Sequence, residues 1–391
     1  MQGDVLTNRE NEPRIGPTIR TDTCKHVLYR QSDCQVCVDT CPENAISLPF
    51  GPELSDACTD CGLCQVVCPT DVFESDQKAD QMLIDLFEDK SDKQIINHRL
   101  YIHCEQAEKA NALSVAVNCL GNITENALLA IAGGNVQTLL LSTGNCDSCQ
   151  LCQGKELFKQ SATTYKRLSK EISRPALTIK TRVSEKQKNP QKSSVDRRAF
   201  FRSLGTGVAK QAVKVVFDKE QQIKALLQTD DDTSVQKRPS PRREMLKALL
   251  KEPMLREPLL GKNCDDSFDV LVDESLGYMK MLVDVPHCVG CGVCVNVCPT
   301  GALVKELDDL ELTRFINYSL CNNCGVCAEA CPQNVISFEK AYSLNDLIND
   351  GKEVVAKVAL TACMICGEII PVSEGEVCTT CQKRQVVPMF M

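Results

Sequence analysis

The cysteines are the residues of this chain whose spacing can do chemistry. The sequence has 26 of them, and sixteen fall into four motifs that each end in Cys-Pro. Three motifs share the spacing Cys-x2-Cys-x2-Cys-x3-Cys-Pro: Cys58, Cys61, Cys64 and Cys68; Cys288, Cys291, Cys294 and Cys298; Cys321, Cys324, Cys327 and Cys331. The first motif is stretched, because nine residues separate Cys24 from Cys34, Cys37 and Cys41. Thiolates spaced in this way can hold iron–sulfur clusters, since a short loop presents three of them to one cluster.

The motifs resemble those of the two-cluster bacterial ferredoxins. In that family three cysteines of one motif and the last cysteine of its neighbour hold each [4Fe–4S] cluster. The resemblance therefore implies four clusters and four ligand sets: set A, Cys24, Cys34, Cys37 and Cys68; set B, Cys41, Cys58, Cys61 and Cys64; set C, Cys288, Cys291, Cys294 and Cys331; set D, Cys298, Cys321, Cys324 and Cys327. The stretched first motif departs from the family pattern at Cys24.

Composition sets the class of protein. The chain has 391 residues, but aromatic residues are only 4% and tryptophan is absent, which favours several small domains built around cofactors. Cluster ligands must be thiolates, so the cysteines do not predict a disulfide-rich secreted protein. Residues 1–20 contain no apolar signal segment, and no run is long enough for a transmembrane helix. We expect a cytoplasmic protein without an integral membrane segment.

The charge is unevenly distributed along the chain. Residues 153–262 contain 26 Lys/Arg and 12 Asp/Glu, a net charge of +14, whereas the remainder carries −22. The basic middle lacks interleaved aromatic residues and any nucleic-acid-binding module, so no nucleic-acid partner is predicted. Docking on an acidic protein surface, or on the acidic ends of the chain itself, is the better interpretation.

A different domain is predicted between the first two and the last two motifs. Segments 99–103, 113–117 and 136–142 have strand character, and 124–132 has helix character with Thr124 as N-cap. Alternating strands and helices indicate a parallel sheet, whose carboxyl ends meet at one edge. Cysteines follow three strand ends, and Cys149 or Cys152 could supply a fourth ligand. We name the predicted group set E: Cys104, Cys119, Cys146 and Cys149.

Set E resembles a site in the iron–sulfur (delta) subunit of methyl-viologen-reducing hydrogenases. The matching features are Cys104, Cys119 within Cys-Leu-Gly, and Cys146 after Thr-Gly-Asn. The resemblance covers about 55 residues and implies a further iron–sulfur cluster, of the [2Fe–2S] type. This chain departs from the family because its first cysteine lacks a close companion and its last segment is Cys-x2-Cys-x2-Cys. A redox-active thiol or disulfide, and a structural or zinc site, are the alternatives.

Residues 170–262 are predicted to be a basic linker with docking helices near 206–228 and 243–252. Inside the linker, Arg197, Arg198, Phe200, Phe201 and Arg202 form an Arg-Arg stretch. It resembles that of the ferredoxin-type accessory proteins of periplasmic nitrate reductase, which implies an amphipathic docking peptide. A solvated helix start is the alternative interpretation.

The C-terminal region predicts a metal site of a different kind. Two Cys-x2-Cys pairs are separated by eleven residues, and they consist of Cys363, Cys366, Cys378 and Cys381. Neither pair ends in Cys-Pro, and the spacing is typical of a four-cysteine zinc ribbon, in which Zn²⁺ replaces a hydrophobic core. A rubredoxin-like iron or iron–sulfur site is the alternative.

The predicted fold class is a multidomain α+β protein. Its predicted parts are a flexible arm (1–20), a ferredoxin-like 2[4Fe–4S] module (21–76), a small α/β parallel-sheet domain (77–169), the basic linker (170–262), a second ferredoxin-like module (263–345) and a zinc-ribbon-like C-terminal domain (346–391).

The motifs that are absent narrow the function. The sequence has no phosphate-binding glycine loop, no flavin, nicotinamide or molybdenum-cofactor signature, and only four histidines. These observations predict a non-catalytic subunit that relays electrons to or from a catalytic oxidoreductase partner, of the molybdenum, flavin or hydrogenase type, with a soluble ferredoxin-type protein as a further donor or acceptor. The alternatives are a maturation factor that docks on an apo-oxidoreductase and a thiol- or disulfide-active enzyme that uses the central cysteines.

Overall fold

The computed structural model is a mixed α/β structure in which short elements connect cysteine-bearing loops. It describes residues 16–74, 82–85, 94–134, 136–172, 174–184, 237–251, 271–272, 279–308 and 310–385. The Arg-Arg stretch and the predicted helix at 206–228 lie outside the described residues.

The first ferredoxin-like module is built from two short antiparallel strand pairs. Its helices are α1 (Lys25–Leu28), α2 (Val36–Thr40) and α3 (Leu63–Val67), and its strands are β1 (Thr18–Ile19), β2 (Ile46–Ser47), β3 (Glu53–Leu54) and β4 (Phe73–Glu74). Strand β1 pairs with β4, and β2 pairs with β3. The end of the predicted arm is therefore ordered: Arg20 donates its backbone N–H to Val72 and forms an ion pair with Glu74.

The central domain contains the predicted parallel sheet. Its elements are β5 (Arg99–Cys104), β6 (Val115–Val117), α4 (Glu125–Gly133), β7 (Thr138–Thr143), α5 (Gly154–Glu171) and β8 (Thr178–Val183). The strands run parallel in the order β6-β5-β7-β8. Thr124 caps α4 by accepting the N–H of Asn126, because its hydroxyl satisfies a donor that the first turn leaves open. The parallel-sheet prediction is confirmed.

Two segments of the predicted linker belong to this domain. Strand β8 adds a fourth strand to the sheet beyond the predicted boundary at residue 169. Helix α6 (Pro241–Lys251) buries Leu246 and Leu250 in the same hydrophobic core. Proline is tolerated at the first helical position because its missing N–H would have no intrahelical acceptor there. The linker is therefore partly a structural component of the central domain.

The second ferredoxin-like module contains a larger antiparallel sheet. Its elements are β9 (Leu271–Val272), β10 (Lys280–Val283), α7 (Val293–Asn296), β11 (Leu303–Asp308), β12 (Glu311–Ile316), α8 (Val326–Glu329), β13 (Ile336–Glu339) and β14 (Ala341–Tyr342). Strand β10 pairs with β13, β9 pairs with β14, and β11 pairs with β12.

The C-terminal region shares structure with both preceding domains. It comprises α9 (Leu344–Ile348), β15 (Glu353–Ala362), β16 (Ile369–Pro371) and α10 (Thr379–Gln385). Helix α9 packs into the core of the central domain, and β15 pairs with β12 at one end and β16 at the other. The predicted boundary at residue 345 therefore separates segments that share a core and a sheet.

Three of the cysteine loops turn through a glycine with positive φ. Gly62, Gly292 and Gly325 follow the second cysteine of their motifs with φ of 80°, 77° and 77°, and each immediately precedes a short helix. A side chain at these positions would strain the left-handed backbone. The stretched first motif has Gln35 at this point, with φ of −125°, so its loop takes a different path.

Among the described residues, no helix combines the length and the apolar composition that crossing a lipid bilayer requires.

The core of the central domain includes one polar contact that can be tested. The hydroxyl oxygen of fully buried Tyr165 accepts the backbone N–H of Leu177 at 2.9 Å. Tyr165→Phe leaves that N–H without an acceptor, so we expect the free energy of unfolding to fall by about 1–3 kcal/mol, measured by denaturant unfolding with circular dichroism. Tyr101→Phe, at a half-buried position of β5, is the control. Equal effects of the two substitutions would contradict the prediction.

Candidate functional site

Set B surrounds a cavity in the first module. Cys41, Cys58, Cys61 and Cys64 all line this cavity, together with apolar side chains that include Ile46. Cys41 comes from the first motif and the other three come from the second. The backbone N–H groups of Ala45 and Asp60 donate to the sulfurs of Cys41 and Cys58 at 3.2 and 3.4 Å.

Set A is brought together in the same module. Burial, together with the nearby thiolates of Cys68, Cys24 and Cys34, raises the pKa of the Cys37 thiol to about 12. Cys68 therefore joins the cysteines of the first motif, and its sulfur accepts the N–H of Val72 at 3.4 Å. The stretched loop is closed by a contact of 2.6 Å between His26 Nε2 and the carbonyl oxygen of Cys34.

The second module repeats the arrangement. All four thiols of set C line one cavity. In set D, burial raises the pKa of Cys324 to about 12, and the thiolates of Cys298 and Cys321 act in the same direction. In each pair of motifs, the last cysteine thus lies with the first three cysteines of the neighbouring motif.

The donor sets fit iron–sulfur clusters chemically. Thiols that burial holds in the neutral form need a positive centre to become thiolates, and iron supplies it. Backbone N–H groups that donate to the ligand sulfurs form the hydrogen bonds that tune the reduction potential of such clusters. Within the described ranges, the C-terminal group is the one set of His, Cys, Asp or Glu ligand atoms close enough for a single ion. The sulfur atoms within each of sets A to D lie further apart, as the ligands of a multi-iron core must.

Set E forms at the carboxyl edge of the parallel sheet. Burial raises the pKa of the Cys119 thiol to about 11, with further contributions from the thiolates of Cys104, Cys146 and Cys149, so these four residues are neighbours. Cys104 and Cys119 accept backbone N–H groups from Gly144 and Gly121, each at 3.4 Å. Cys152 is exposed.

Helix α5 begins directly against set E. A Cβ on Gly154, its first residue, would lie 2.2 Å from the sulfur of Cys119, so only glycine fits there. The helix has 18 residues, and its N-terminus favours negative charge on the adjacent sulfur. This close approach therefore offsets part of the effect by which burial raises the pKa of Cys119.

Polar contacts join the central domain to set B. Asn122 Nδ2 donates to the carbonyl oxygen of Cys61 at 2.7 Å, and Asn118 Nδ2 donates to that of Asp60 at 3.1 Å. The loops that carry Cys119 and Cys61 are therefore in direct contact. The sequence contains no signal for this contact, since two asparagines in a loop are ordinary turn residues.

A second junction joins the two ferredoxin-like modules. Lys25 forms an ion pair with Glu329, and Ser32 donates to the same carboxylate at 2.8 Å. Lys25 follows Cys24 of set A, and it also acts electrostatically on Cys324 of set D. Sets A and D therefore lie on the two sides of this junction.

Helix α6 reinforces the junction with two arginines. Arg242 donates to the carbonyl oxygen of Val66 at 2.6 Å in the first module. Arg243 donates through Nε to the carbonyl oxygen of Cys321 at 2.9 Å in the second module. Both acceptors lie in cysteine motifs, so one helix N-terminus ties the two modules together.

Set C has a buried cation that sequence reasoning missed. Arg314 is only 3% exposed, and its Nη1 donates to the sulfur of Cys288 at 3.2 Å. It occupies an inward-facing position of β12 between the buried residues Leu312 and Ile316. The sequence did offer one signal: Arg314 stands at a position of β12 where the alternation of the strand predicts an apolar residue.

The C-terminal cysteines form a compact group. The sulfurs of Cys363, Cys366, Cys378 and Cys381 all lie within 4.8 Å of one another, and those of Cys366 and Cys378 are 3.7 Å apart. Four ligands at the usual Zn–S length around one tetrahedral ion stand about 3.8 Å apart. The backbone N–H of Cys378 donates to Cys363, and this bond acts with hydrogen bonds from Cys366 and Ile365 to lower the pKa of that thiol to about 6, which favours the thiolate form that a metal binds.

Comparisons with known families identify the ferredoxin-type regions. A family described as a 4Fe-4S dicluster domain matches residues 280–332, and 4Fe-4S binding domains match residues 21–44 and 54–74. No curated protein was found to match the chain. The matched regions contain the four Cys-Pro motifs, including the stretched first one. The chain is therefore an iron–sulfur protein with several ferredoxin-type 4Fe–4S-binding domains.

The fit of α5 against set E gives a test of the central site. In Gly154→Ala the added methyl would collide with Cys119, so we expect the chain to lose the metal of the central domain and keep that of the ferredoxin-type domains. Iron, zinc and sulfide counts with EPR spectra of the anaerobically purified protein measure this. Gly351→Ala is the control, because a Cβ there meets nothing within 4 Å. Unchanged metal content in Gly154→Ala would contradict the prediction.

Proposed function

We propose that this chain is a multi-cluster electron-transfer subunit that relays electrons to or from a catalytic oxidoreductase. Sets A, B, C and D would each hold one [4Fe–4S] cluster, and set E would hold a fifth iron–sulfur centre. Each such cluster, when bound, accepts and releases one electron at a time. The observation that carries the proposal is that polar junctions bring the cysteine loops of three domains into contact.

The junctions give the centres an order. Asn122 holds the loop of set E against Cys61 of set B. Within the first module, Cys64 of set B is close enough to Cys37 of set A for their thiolates to interact, and in the second module Cys327 of set D interacts with Cys294 of set C. The Lys25–Glu329 ion pair connects the modules between sets A and D. The resulting order is E, B, A, D and C.

Contacts between the two modules hold their cysteine loops close together. Helix α6 holds a carbonyl of each module through neighbouring arginines. Ser240, just before that helix, donates to the buried carboxylate of Asp71. Charge-assisted hydrogen bonds are stronger than neutral ones, and their geometry is more strictly defined. The modules are therefore tied at several points, as an electron path between them requires.

Set E is best interpreted as an iron–sulfur site. Its thiols lie further apart than those of the C-terminal group, which argues against a single zinc ion. Hydrogen bonds from Gly121 and Gly144 and the N-terminus of α5 all favour thiolates. A redox-active disulfide is the alternative, and the metal counts described above distinguish it. The cluster type follows only from the hydrogenase delta-subunit resemblance, as [2Fe–2S].

The C-terminal cysteines would hold a structural Zn²⁺. Their sulfur separations suit one tetrahedral ion, and Cys363, Cys378 and Cys381 are buried with little other core around them. A rubredoxin-like iron site has the same four ligands, and zinc analysis distinguishes the two.

The partner and compartment are inferred from chemistry. The sequence carries no substrate-converting cofactor signature, so the reaction that supplies or consumes the electrons belongs to a molybdenum-, flavin- or hydrogenase-type partner, with a ferredoxin-type protein as a further donor or acceptor. Cluster thiolates favour the reducing cytoplasm. The basic residues of the linker would contact an acidic partner surface.

Purification of the native chain tests the proposal. We expect anaerobic affinity purification to yield a stoichiometric, cofactor-bearing oxidoreductase, identified by mass spectrometry. We also expect about 16 iron atoms per chain from four [4Fe–4S] clusters, about two to four more from set E, and one zinc. A partner recovered only as apo-enzyme would instead support a maturation factor.

Interrupting the proposed path tests its order. Cys64→Ser should remove or alter the cluster of set B and lower electron flux through the purified complex severalfold, because set B lies between sets E and A. Cys152→Ser, which changes an exposed cysteine outside the five sets, should leave the flux unchanged. Steady-state turnover with the native donor and acceptor measures both. Full flux in a Cys64→Ser complex with altered EPR spectra would exclude a path through set B.

A further inference from the structure

The environment of set C contains a buried arginine that donates directly to the sulfur of one of its cysteines. An arginine side chain keeps its charge inside a protein, and a buried charge without a counter-charge is strongly unfavourable. Within the described residues, Nε and Nη2 of Arg314 have no hydrogen-bond partner, and its Nη1 donates to Cys288. The side chain lines the same cavity as all four thiols of set C. The anion that balances Arg314 must therefore lie in that cavity.

A second cation lies beside the same cysteine loop. Lys305 on β11 is directly opposite Arg314 on β12. Its Nζ lies 3.2 Å from where a Cβ on Gly292, between Cys291 and Cys294, would stand. Like charges directly opposite on neighbouring strands are destabilising unless a negative group lies between them. Strand geometry therefore aims two cations at one cysteine loop.

The charges near the other sets change along the proposed path. Near set B, the carboxylate of Asp60 acts on Cys58 and Cys61. Near set A, Asp71 acts on Cys68. Near set D, Arg243 and Lys25 act on Cys321 and Cys324. The neighbouring charge thus changes from negative at set B to positive at sets D and C.

This change in neighbouring charge bears on the direction of electron flow. A reduced cluster carries one more negative charge than an oxidised one, so nearby cations and hydrogen bonds to sulfur raise its reduction potential, whereas nearby carboxylates lower it. Set C also includes an exposed ligand, Cys291, which brings the site to the protein surface. A centre with a raised potential and a surface ligand is suited to deliver electrons out of the chain.

We infer that Arg314, together with Lys305, gives set C the highest reduction potential of the four ferredoxin-type centres, and that electrons leave the chain through the surface around Cys291. This inference rests on the proposed electron-transfer function and adds a direction to it, from set E toward set C. Arg314 is a positioning residue, because it acts on the cluster through charge and a hydrogen bond to a ligand.

Reduction potentials of the full-length chain test the inference. An EPR-monitored redox titration of the anaerobically purified protein gives the midpoint of each centre, and the signal that Cys291→Ser alters belongs to set C. We expect this signal to have the highest midpoint in the unaltered chain. We expect Arg314→Gln to lower the ratio of reduced to oxidised cluster at least tenfold at a given potential, a shift of about 59 mV for a one-electron couple.

Matched variants separate charge from structure. Arg314→Lys keeps the charge and should recover most of the shift, and Lys305→Gln should lower the same midpoint by a smaller amount. Lys357→Gln is the control, because Lys357 lies on the same sheet but is 57% exposed and pairs with Glu311. It should leave every midpoint unchanged.

Several outcomes would overturn the inference. One is a set C midpoint below that of any other ferredoxin-type centre, and another is an unchanged midpoint in iron-replete Arg314→Gln. If Arg314→Gln and Arg314→Lys both lose iron and Lys305→Gln shifts nothing, Arg314 is structural and the inference fails. The midpoints need no partner protein. The chain could therefore show the expected midpoints and yet transfer no electrons. That result would refute the proposed function and its direction of flow, but it would leave the effect of Arg314 on set C established.

Discussion

The structure depends on one constraint: four sulfur atoms from separate parts of the chain must meet in each of sets A to D. In both modules the last cysteine of each motif lies with the first three cysteines of its neighbour, as Cys41 does in set B and Cys331 does in set C. Each motif is therefore joined to its partner by shared groups of sulfur atoms instead of a large apolar core. The cysteines are themselves a substantial part of the buried residues in these modules. This explains how a chain with few aromatic residues maintains two modules made of strands of two to six residues.

Packing between the domains relies on polar contacts, and the central domain supplies the apolar support. The Lys25–Glu329 pair, the two arginines of α6 and Asn122 all contact residues within or beside cysteine motifs. Such contacts have defined geometry, which apolar packing alone does not impose. Helices α6 and α9 bury leucines in the central core. The central domain is therefore the support against which both modules pack.

The cysteine motifs, the parallel sheet and the N-cap at Thr124 were predictable because each depends on local spacing or periodicity. Strand β8 was not predictable, because it lies at the edge of the sheet and most of its side chains are exposed, so it lacks a pattern of burial. The junctions were not predictable either, since single residues such as Asn122 and Glu329 acquire their roles only from contacts distant in sequence. Arg314 was predictable only in part. The alternation of its strand could be seen in the sequence, but the cavity that it faces is formed by set C, which comes together only in the folded chain.

The position of α9 has a consequence for biosynthesis. Leu344, Leu347 and Ile348 complete a core whose strands lie far earlier in the sequence, before the entire second module. On the ribosome, that core remains open until α9 has emerged, so the central sheet lacks this helix while the second module is being synthesised. The first module has no such dependence for its own strand pairs, because β1 to β4 lie together at the start of the chain. Assembly of the chain thus begins with a locally complete module, whereas the central core closes only when α9 emerges, after the cysteine motifs of the second module.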